Sequence, residues 1–337
     1  LFLRNNGCQI KATAGTCIMC DLSASYTPTP ITADQYIAQL RYGLDQISNL
    51  TRERNNTPPL AEIDLYNDGS LLSKREMPPA ALEGMLEIIS EFGQIKRLTI
   101  EARAADINYD QIRKFAQILA KSGISMEVAL GVEATEPIRR QILGKPTTDR
   151  QLQRAVLALH SSQATAKAYI MIRPPYLSEA EAMADSLASV RLCAQLGFDR
   201  ISLEPTVQGG MTAQELLADL PTEHPLRHRP PWLWTIVQIM QTSHQNIPHC
   251  PDITSSIFTD PLTPVPAKYK NRVPHNCPDC SDTVRTLLFK HHMTGDWSTI
   301  RQATAVDCSC KSNWQDENVQ LEPITPLPSS IVSDKLI

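Results

Sequence analysis

Leu3-Arg4-Asn5-Asn6-Gly7-Cys8, followed after eight residues by Cys17-Ile18-Met19-Cys20, is the stretch that decides how the rest of the chain folds. Three thiolates this close point to a soft metal. A structural zinc site and a fully ligated iron–sulfur cluster each want four protein ligands, so three cysteines on one loop suggest a cluster with one iron left open. Three quarters of a zinc site, completed by a distant residue, is the other reading of the spacing. The loop also stands where a dinucleotide-binding fold would carry G-x-G-x-x-G after its first strand, and no such glycine pattern is present.

Outward from this loop the chain settles into a rhythm. Leu1 to Leu3 read as a strand already under way, so residues upstream of Leu1 are expected. Thr32-Ala33-Asp34-Gln35 is a capping-box start for a helix carrying Tyr36, Leu40, Leu44 and Ile47. Strands are predicted at Ala61 to Tyr66, Arg97 to Glu101, Ser125 to Val132, Lys167 to Arg173 and Arg200 to Glu204. Helices between them open at Pro79, near Asp110, at Thr147 and at Ser178, and two of them stop at Gly123 and Gly197. Counting the opening run, six strands alternate with helices every 30 to 35 residues or so, the pattern of parallel βα units. The fold expected is α/β: a partial (β/α)6 TIM-type barrel over residues 1–211, with a small Cys-rich, metal-binding C-terminal extension over 212–337. Within that extension a helix is expected from Trp232, with Trp232 and Trp234 on different faces, then a Pro-rich connection over 247–278 and a loose tail at Pro323 to Ser330.

A net charge of −4 gives no global basic field for nucleic acid, though a local patch would suffice for a specific RNA. No run approaches the roughly 18 apolar residues of a membrane span and no leader pattern opens the chain, which reads as cytoplasmic with no membrane partner. Nine cysteines in such a chain mean metal rather than disulfides. Cys277-Pro278-Asp279-Cys280 and Cys308-Ser309-Cys310 supply four thiolates from two knuckles, enough for structural zinc or for an auxiliary iron–sulfur cluster, with His275 and Cys250 as possible substitutes. Cys193, on an apolar helix face, reads as a buried thiol, and His291-His292 as packing or surface residues.

A barrel places its chemistry at the C-terminal ends of its strands. Those ends carry Asn67, Asp68, Gly69 and Ser70, then Glu101, then Gly131-Val132-Glu133, then Arg173, and finally Glu204 to Gly210. With the cysteine loop, Tyr66-Asn67-Asp68-Gly69-Ser70, Ile100-Glu101-Ala102-Arg103, Gly131-Val132-Glu133-Ala134-Thr135, Arg173-Pro174-Pro175, Glu204-Pro205-Thr206-Val207-Gln208, Arg229-Pro230-Pro231-Trp232-Leu233-Trp234 and His275-Asn276-Cys277-Pro278-Asp279-Cys280, the chain resembles the radical SAM superfamily. Within it, the resemblance is to the elongator-catalytic-subunit-like branch and its archaeosine-synthase radical SAM subunit subgroup. It departs from that subgroup at Asn5-Asn6, Arg173 and Gly209-Gly210-Met211.

The resemblance implies that Cys8, Cys17 and Cys20 bind a [4Fe–4S] cluster whose fourth iron chelates S-adenosylmethionine, and that reductive cleavage yields a 5′-deoxyadenosyl radical. It further implies that Asn67 to Ser70 approach the methionine amino end, that Glu101 and Glu133 accept hydrogen bonds from the cofactor, and that Arg173 pairs with its carboxylate. The implied partners are an electron donor such as flavodoxin or ferredoxin and a nucleoside-like or nucleotide-derived molecule, or a modified base in tRNA. Two other functions fit the residues: a small-molecule biosynthetic enzyme forming a carbon–sulfur bond with an auxiliary cluster, and a non-enzymatic zinc-binding interaction protein.

Overall fold

Local signals set most of the elements. Thr32 and Gln35 cap each other (3.3 and 2.9 Å) at the start of α2, Ala33–Glu53, which follows the short α1, Gln9–Ala14. Pro79 occupies the first turn of α3, Pro79–Glu91, where its missing N–H is not needed. Asn108 caps α4, Tyr109–Ala120, and reciprocal capping boxes start α5, Asp149–Ser161, at Thr148 and Gln151, and α6, Glu179–Leu196, at Ser178 and Glu181. Gly197 ends α6 in the left-handed region at φ +81°.

The structure, a computed structural model, describes residues 1–14, 17–20, 26–27, 29–53, 61–67, 69–92, 95–209, 212–224, 226–256 and 272–319. Six strands, β1 Glu62–Leu65, β2 Arg97–Ala102, β3 Ser125–Glu133, β4 Thr165–Ile172, β5 Arg200–Pro205 and β6 Asp252–Ser255, pair in chain order, every pair parallel. The sheet curls into the expected partial barrel. Among the described residues no helix is long and apolar enough to cross a membrane.

Alternation along each strand sorts the two faces. Ile63, Leu65, Leu98, Ile100, Val128, Leu130, Ile170, Ile201 and Leu203 are buried in one core with α2 to α6. The other parity faces the lumen and is polar: Asp64 lies 3.6 Å from Lys167, Glu127 lies 3.2 Å from Arg200, and Thr99 donates to Glu127 at 3.1 Å. A lumen filled this way keeps its charges paired in low dielectric, where an unpaired one would be costly.

Two strands differ from the sequence reading. Leu1 to Leu3 make only a single bridge, Phe2 to Tyr66, flanked by Leu3 N donating to Tyr66 O at 2.7 Å and Tyr66 N to Leu1 O at 2.9 Å. The ladder stops there because Arg4 N turns instead to Gln39 Oε1 at 2.7 Å. The sixth strand is β6, within the stretch read as a Pro-rich connection. Four residues are too few to show a period, and it is the pairing with β5 that makes Asp252 to Ser255 a strand.

Beyond β5 lie α7, Ala213–Ala218, and α8, Leu233–Asn246; after β6 come α9, Ser281–Thr294, α10, Trp297–Ala305, and α11, Cys310–Val319. The last strand of the sheet therefore comes from beyond residue 212. His291 on α9 is buried, its ring nitrogens 3.0 Å from Ile253 O and 3.1 Å from Asp296 O, which ties that helix to β6. The tail at Pro323 to Ser330 lies outside the described residues.

Candidate metal centre at the barrel mouth

Cys8, Cys17 and Cys20 line one cavity of about 440 Å³ at the C-terminal ends of the strands, together with Gly69, Glu101, Glu133 and Glu204. Lys11 holds the loop in place by donating to Cys17 O (3.1 Å) and Cys20 O (2.8 Å). Gly7 sits at φ +100°, and a Cβ there would meet the Tyr26 ring at 2.7 Å, so only glycine fits. Cys17 is itself held at φ 61°, a conformation costing a non-glycine residue on the order of 1–3 kcal/mol.

The loop after β1 and the end of β2 are bound to the cysteine loop through one buried carboxylate, Glu76. Its Oε1 accepts from Gln9 N at 2.9 Å and pairs with Arg103 at 2.7 Å, and its Oε2 accepts from Ser70 N at 2.8 Å. A Cβ on Gly69 would collide with Oε2. Arg103 also pairs with Asp106 (2.9 Å), donates its backbone N–H to Ser70 Oγ (3.2 Å), and brings Nη1 to 3.5 Å from Cys8 Sγ.

At β3 the register with β4 slips between Gly131 and Glu133, and Glu133 takes φ 63°. That bulge turns the Glu133 carboxylate to the cavity, where Lys145 pairs with it at 2.6 Å. Gly131 leaves room for both, since a Cβ would strike Lys145 Nζ and Glu133 Oε1. Arg139, fully buried, braces the following turn by donating to Thr147 O, Val132 O and Ala134 O at 2.8 to 3.1 Å and by pairing with Asp149.

Across the cavity stand Tyr169 and Glu204. Burial pushes the Glu204 carboxyl up, against hydrogen bonds with Ser202 and Ser256 that lower it. Burial also raises Tyr169, with Glu101 adding repulsion, so its hydroxyl stays protonated; it lies 3.5 Å from the Tyr66 hydroxyl, which donates to Asp64 at 2.7 Å.

Of the residues singled out in the sequence, the structure brings the three cysteines, Gly69, Glu101 and Glu133 onto one cavity wall. Asn67 and Ser70 are buried behind it, Asn67 Oδ1 accepting from Gly69 N at 3.2 Å. Asp68 lies outside the described residues. Arg173, at φ 62° and 7% exposed, does not line the cavity; it pairs with Glu179 at 3.0 Å. Glu76 and Lys145 were missed: each lies in a loop between periodic elements, and neither has a motif around it. Arg103 and Glu204 stood inside quoted motifs without a role.

The second cysteine group closes. Sγ to Sγ distances are 3.7 Å for Cys277 and Cys280, 3.3 Å for Cys277 and Cys308, and 3.6 Å for Cys280 and Cys310, and all four atoms lie within 4.8 Å. Trp234 Nε1 donates to Cys310 Sγ at 3.3 Å, and Asn276 Oδ1 accepts from Trp234 N, so α8 is packed directly onto the site. Trp232, at the N-cap, turns instead to Glu317 (3.1 Å), matching the expectation of different faces. Cys250 is not in the group, and His275 Nδ1 lies 2.8 Å from Val273 O. Cys193 is fully buried in the core.

An incomplete cysteine triad thus stands over the mouth of a six-stranded parallel half-barrel. No family model matches the chain. It is similar to an uncharacterised protein of Methanocaldococcus jannaschii, at 27% identity over 330 residues, 96% of this chain and 84% of that one. It is also similar to the archaeosine synthase subunit beta of Methanosarcina acetivorans, at 26% identity over 317 residues, 94% of this chain and 83% of that one. Among solved structures it is similar to the radical S-adenosylmethionine methyltransferase TsrM of Kitasatospora setae, at 12% identity and a TM-score of 0.43, covering 90% of this chain and only 60% of that longer one.

Proposed function

We propose that Cys8, Cys17 and Cys20 hold a [4Fe–4S] cluster with one iron free for S-adenosylmethionine, and that the substrate is a nucleoside-like group, in the first instance a modified base in tRNA. The observation that carries the cluster is the setting of the triad: three thiols and, among the described residues, no other cysteine line one cavity at the strand ends, as ligands to three irons with the fourth left open would. Held there, the cluster would supply one-electron reduction of S-adenosylmethionine for abstraction of a hydrogen from the substrate, the chemistry of a radical SAM enzyme. The electron comes from a donor of the flavodoxin or ferredoxin type.

The chain's own residues bind, orient and screen. Glu133, already turned to the cavity by its bulge, and Glu101 accept hydrogen bonds from the cofactor, and the Gly69 turn approaches it with no side chain in the way. Arg173 supports the β4 end through Glu179, a role closer to positioning than to the carboxylate contact its motif implies. The tRNA substrate rests on the relatives named archaeosine synthase subunit beta.

The C-terminal cysteines take one tetrahedral ion, zinc in this reading. Zinc–sulfur bonds of ~2.3 Å put ligand sulfurs about 3.8 Å apart, close to the distances between these thiols, whereas a cluster seats each thiolate on its own iron and needs them wider. This geometry disfavours the auxiliary, sulfur-donating cluster.

Anaerobic reconstitution tests the proposal. Iron uptake at the triad, and 5′-deoxyadenosine formed from S-adenosylmethionine with a strong reductant, are expected; no iron, or iron without cleavage, overturns it. A gel shift with tRNA at low salt separates the substrate classes, since absence of binding removes the tRNA version.

A further inference from the structure

We propose that Arg103 sets the reduction potential of the N-terminal cluster by donating a charge-assisted hydrogen bond to the Cys8 thiolate. The proposal rests on the cluster reading of the cysteine triad and adds a residue to it. The guanidinium Nη1 is 3.5 Å from Cys8 Sγ, within range of an N–H···S bond. The same group is clamped from behind by Glu76 at 2.7 Å and Asp106 at 2.9 Å, so its fork is held toward the sulfur. Arg103 lies mostly out of water, with its side chain 12% exposed, and the paired carboxylates keep it charged.

The clamp also fixes the thiol. Glu76 takes the N–H of Gln9, the residue after Cys8, with the same Oε1 that meets Arg103, so the sulfur and the cation are referenced to one buried oxygen. Neither Lys11 nor Lys145 makes this contact: Lys11 binds backbone carbonyls and Lys145 is engaged by Glu133. Arg103 is therefore a cation whose hydrogen bond reaches the Cys8 sulfur.

Reduction adds one electron to the cluster and neither forms nor breaks a bond to the protein, so the negative charge gained must be stabilised in place. Hydrogen bonds and positive charge at the ligand sulfur favour the reduced form. Removing Arg103 makes the cluster harder to reduce.

The experiment is an EPR-monitored redox titration of the reconstituted full chain, with iron content measured for each variant. Arg103→Met is expected to shift the one-electron reduction equilibrium at least tenfold toward the oxidised form, a fall of about 59 mV. Arg103→Lys, which keeps charge but loses the fork, should recover part of that shift. Arg97→Met is the control: it removes a guanidinium at the far end of the same strand, paired with Glu62, and should leave the potential unchanged. An Arg103→Met protein that binds iron like the wild type at an unaltered potential overturns the proposal. So does loss of iron by both Arg103 variants, which marks a merely structural role. Where Met loses iron and Lys keeps it, a potential of the Lys variant below that of the wild type supports the proposal and an unaltered one overturns it. A wild-type chain that binds no iron fails the cluster reading itself and is distinguished at the first step.

Discussion

The two cysteine groups are built from the same residue and differ in how much they leave open. Cys277, Cys280, Cys308 and Cys310 bring four sulfurs within 4.8 Å, and Trp234 and α8 pack against them. Cys8, Cys17 and Cys20 bring three sulfurs to a cavity of about 440 Å³ walled by strand ends. A closed site contributes to folding because every ligand is supplied by the chain and satisfied by the ion. An open one leaves coordination for a reactant. Its surroundings are accordingly strained, with Cys17 and Glu133 both at positive φ, whereas no described residue of the C-terminal group is.

The sharpest way to break this comparison is to remove one cysteine from each side. Cys17→Ala is expected to abolish 5′-deoxyadenosine formation altogether while zinc content stays at wild-type level. Cys280→Ala should do the reverse: zinc by elemental analysis disappears, the thermal unfolding midpoint falls by several degrees or more, and S-adenosylmethionine cleavage per bound cluster survives in the folded fraction. Iron, rather than zinc, at the C-terminal site by anomalous scattering would erase the distinction.

A smaller change sharpens the open side. Gly7→Ala forces a Cβ against Tyr26 at a φ that alanine rarely adopts. It should cost about 1–3 kcal/mol of stability, read by urea unfolding, and lower iron occupancy without touching zinc.

The smallest effect concerns the join between the regions. His228 is buried, its Nε2 3.3 Å from Thr206 Oγ1 just past β5, and Gln208 donates to its carbonyl at 3.0 Å. Burial, with Arg173 and Arg229 nearby, pushes its imidazole down to about 3. A histidine lowered in the folded state binds a proton more readily unfolded. Its contribution is thus present above pH 6.5 and lost as pH falls toward 3, with a slope of at most about 1.4 kcal/mol per pH unit. Urea unfolding at pH 7 and pH 5 should show that loss, and His228→Gln should flatten it.

Five of the six strands, the capped helices and both cysteine groups were legible from sequence because each is a local statement. Capping boxes at Thr148 and Ser178, glycine at 197, and C-x2-C spacing are read within a few residues. β6 was not, because its four residues gain strand character only from β5. Glu76 was not, because Gln9, Ser70 and Arg103 converge on it only after two βα units have turned. Lys145 was not, because its meaning comes from a bulge that re-aims Glu133.

The incomplete triad and the order of the βα units were thus determined by sequence alone, since thiol chemistry and backbone periodicity are carried by near neighbours. The tertiary structure decided which polar groups surround the triad, that Arg103 reaches Cys8 while Arg173 turns to Glu179, and that the second four sulfurs close to the distances of a single ion. Those are distances between residues far apart in the chain, and only the closed packing of strand ends and helices sets them.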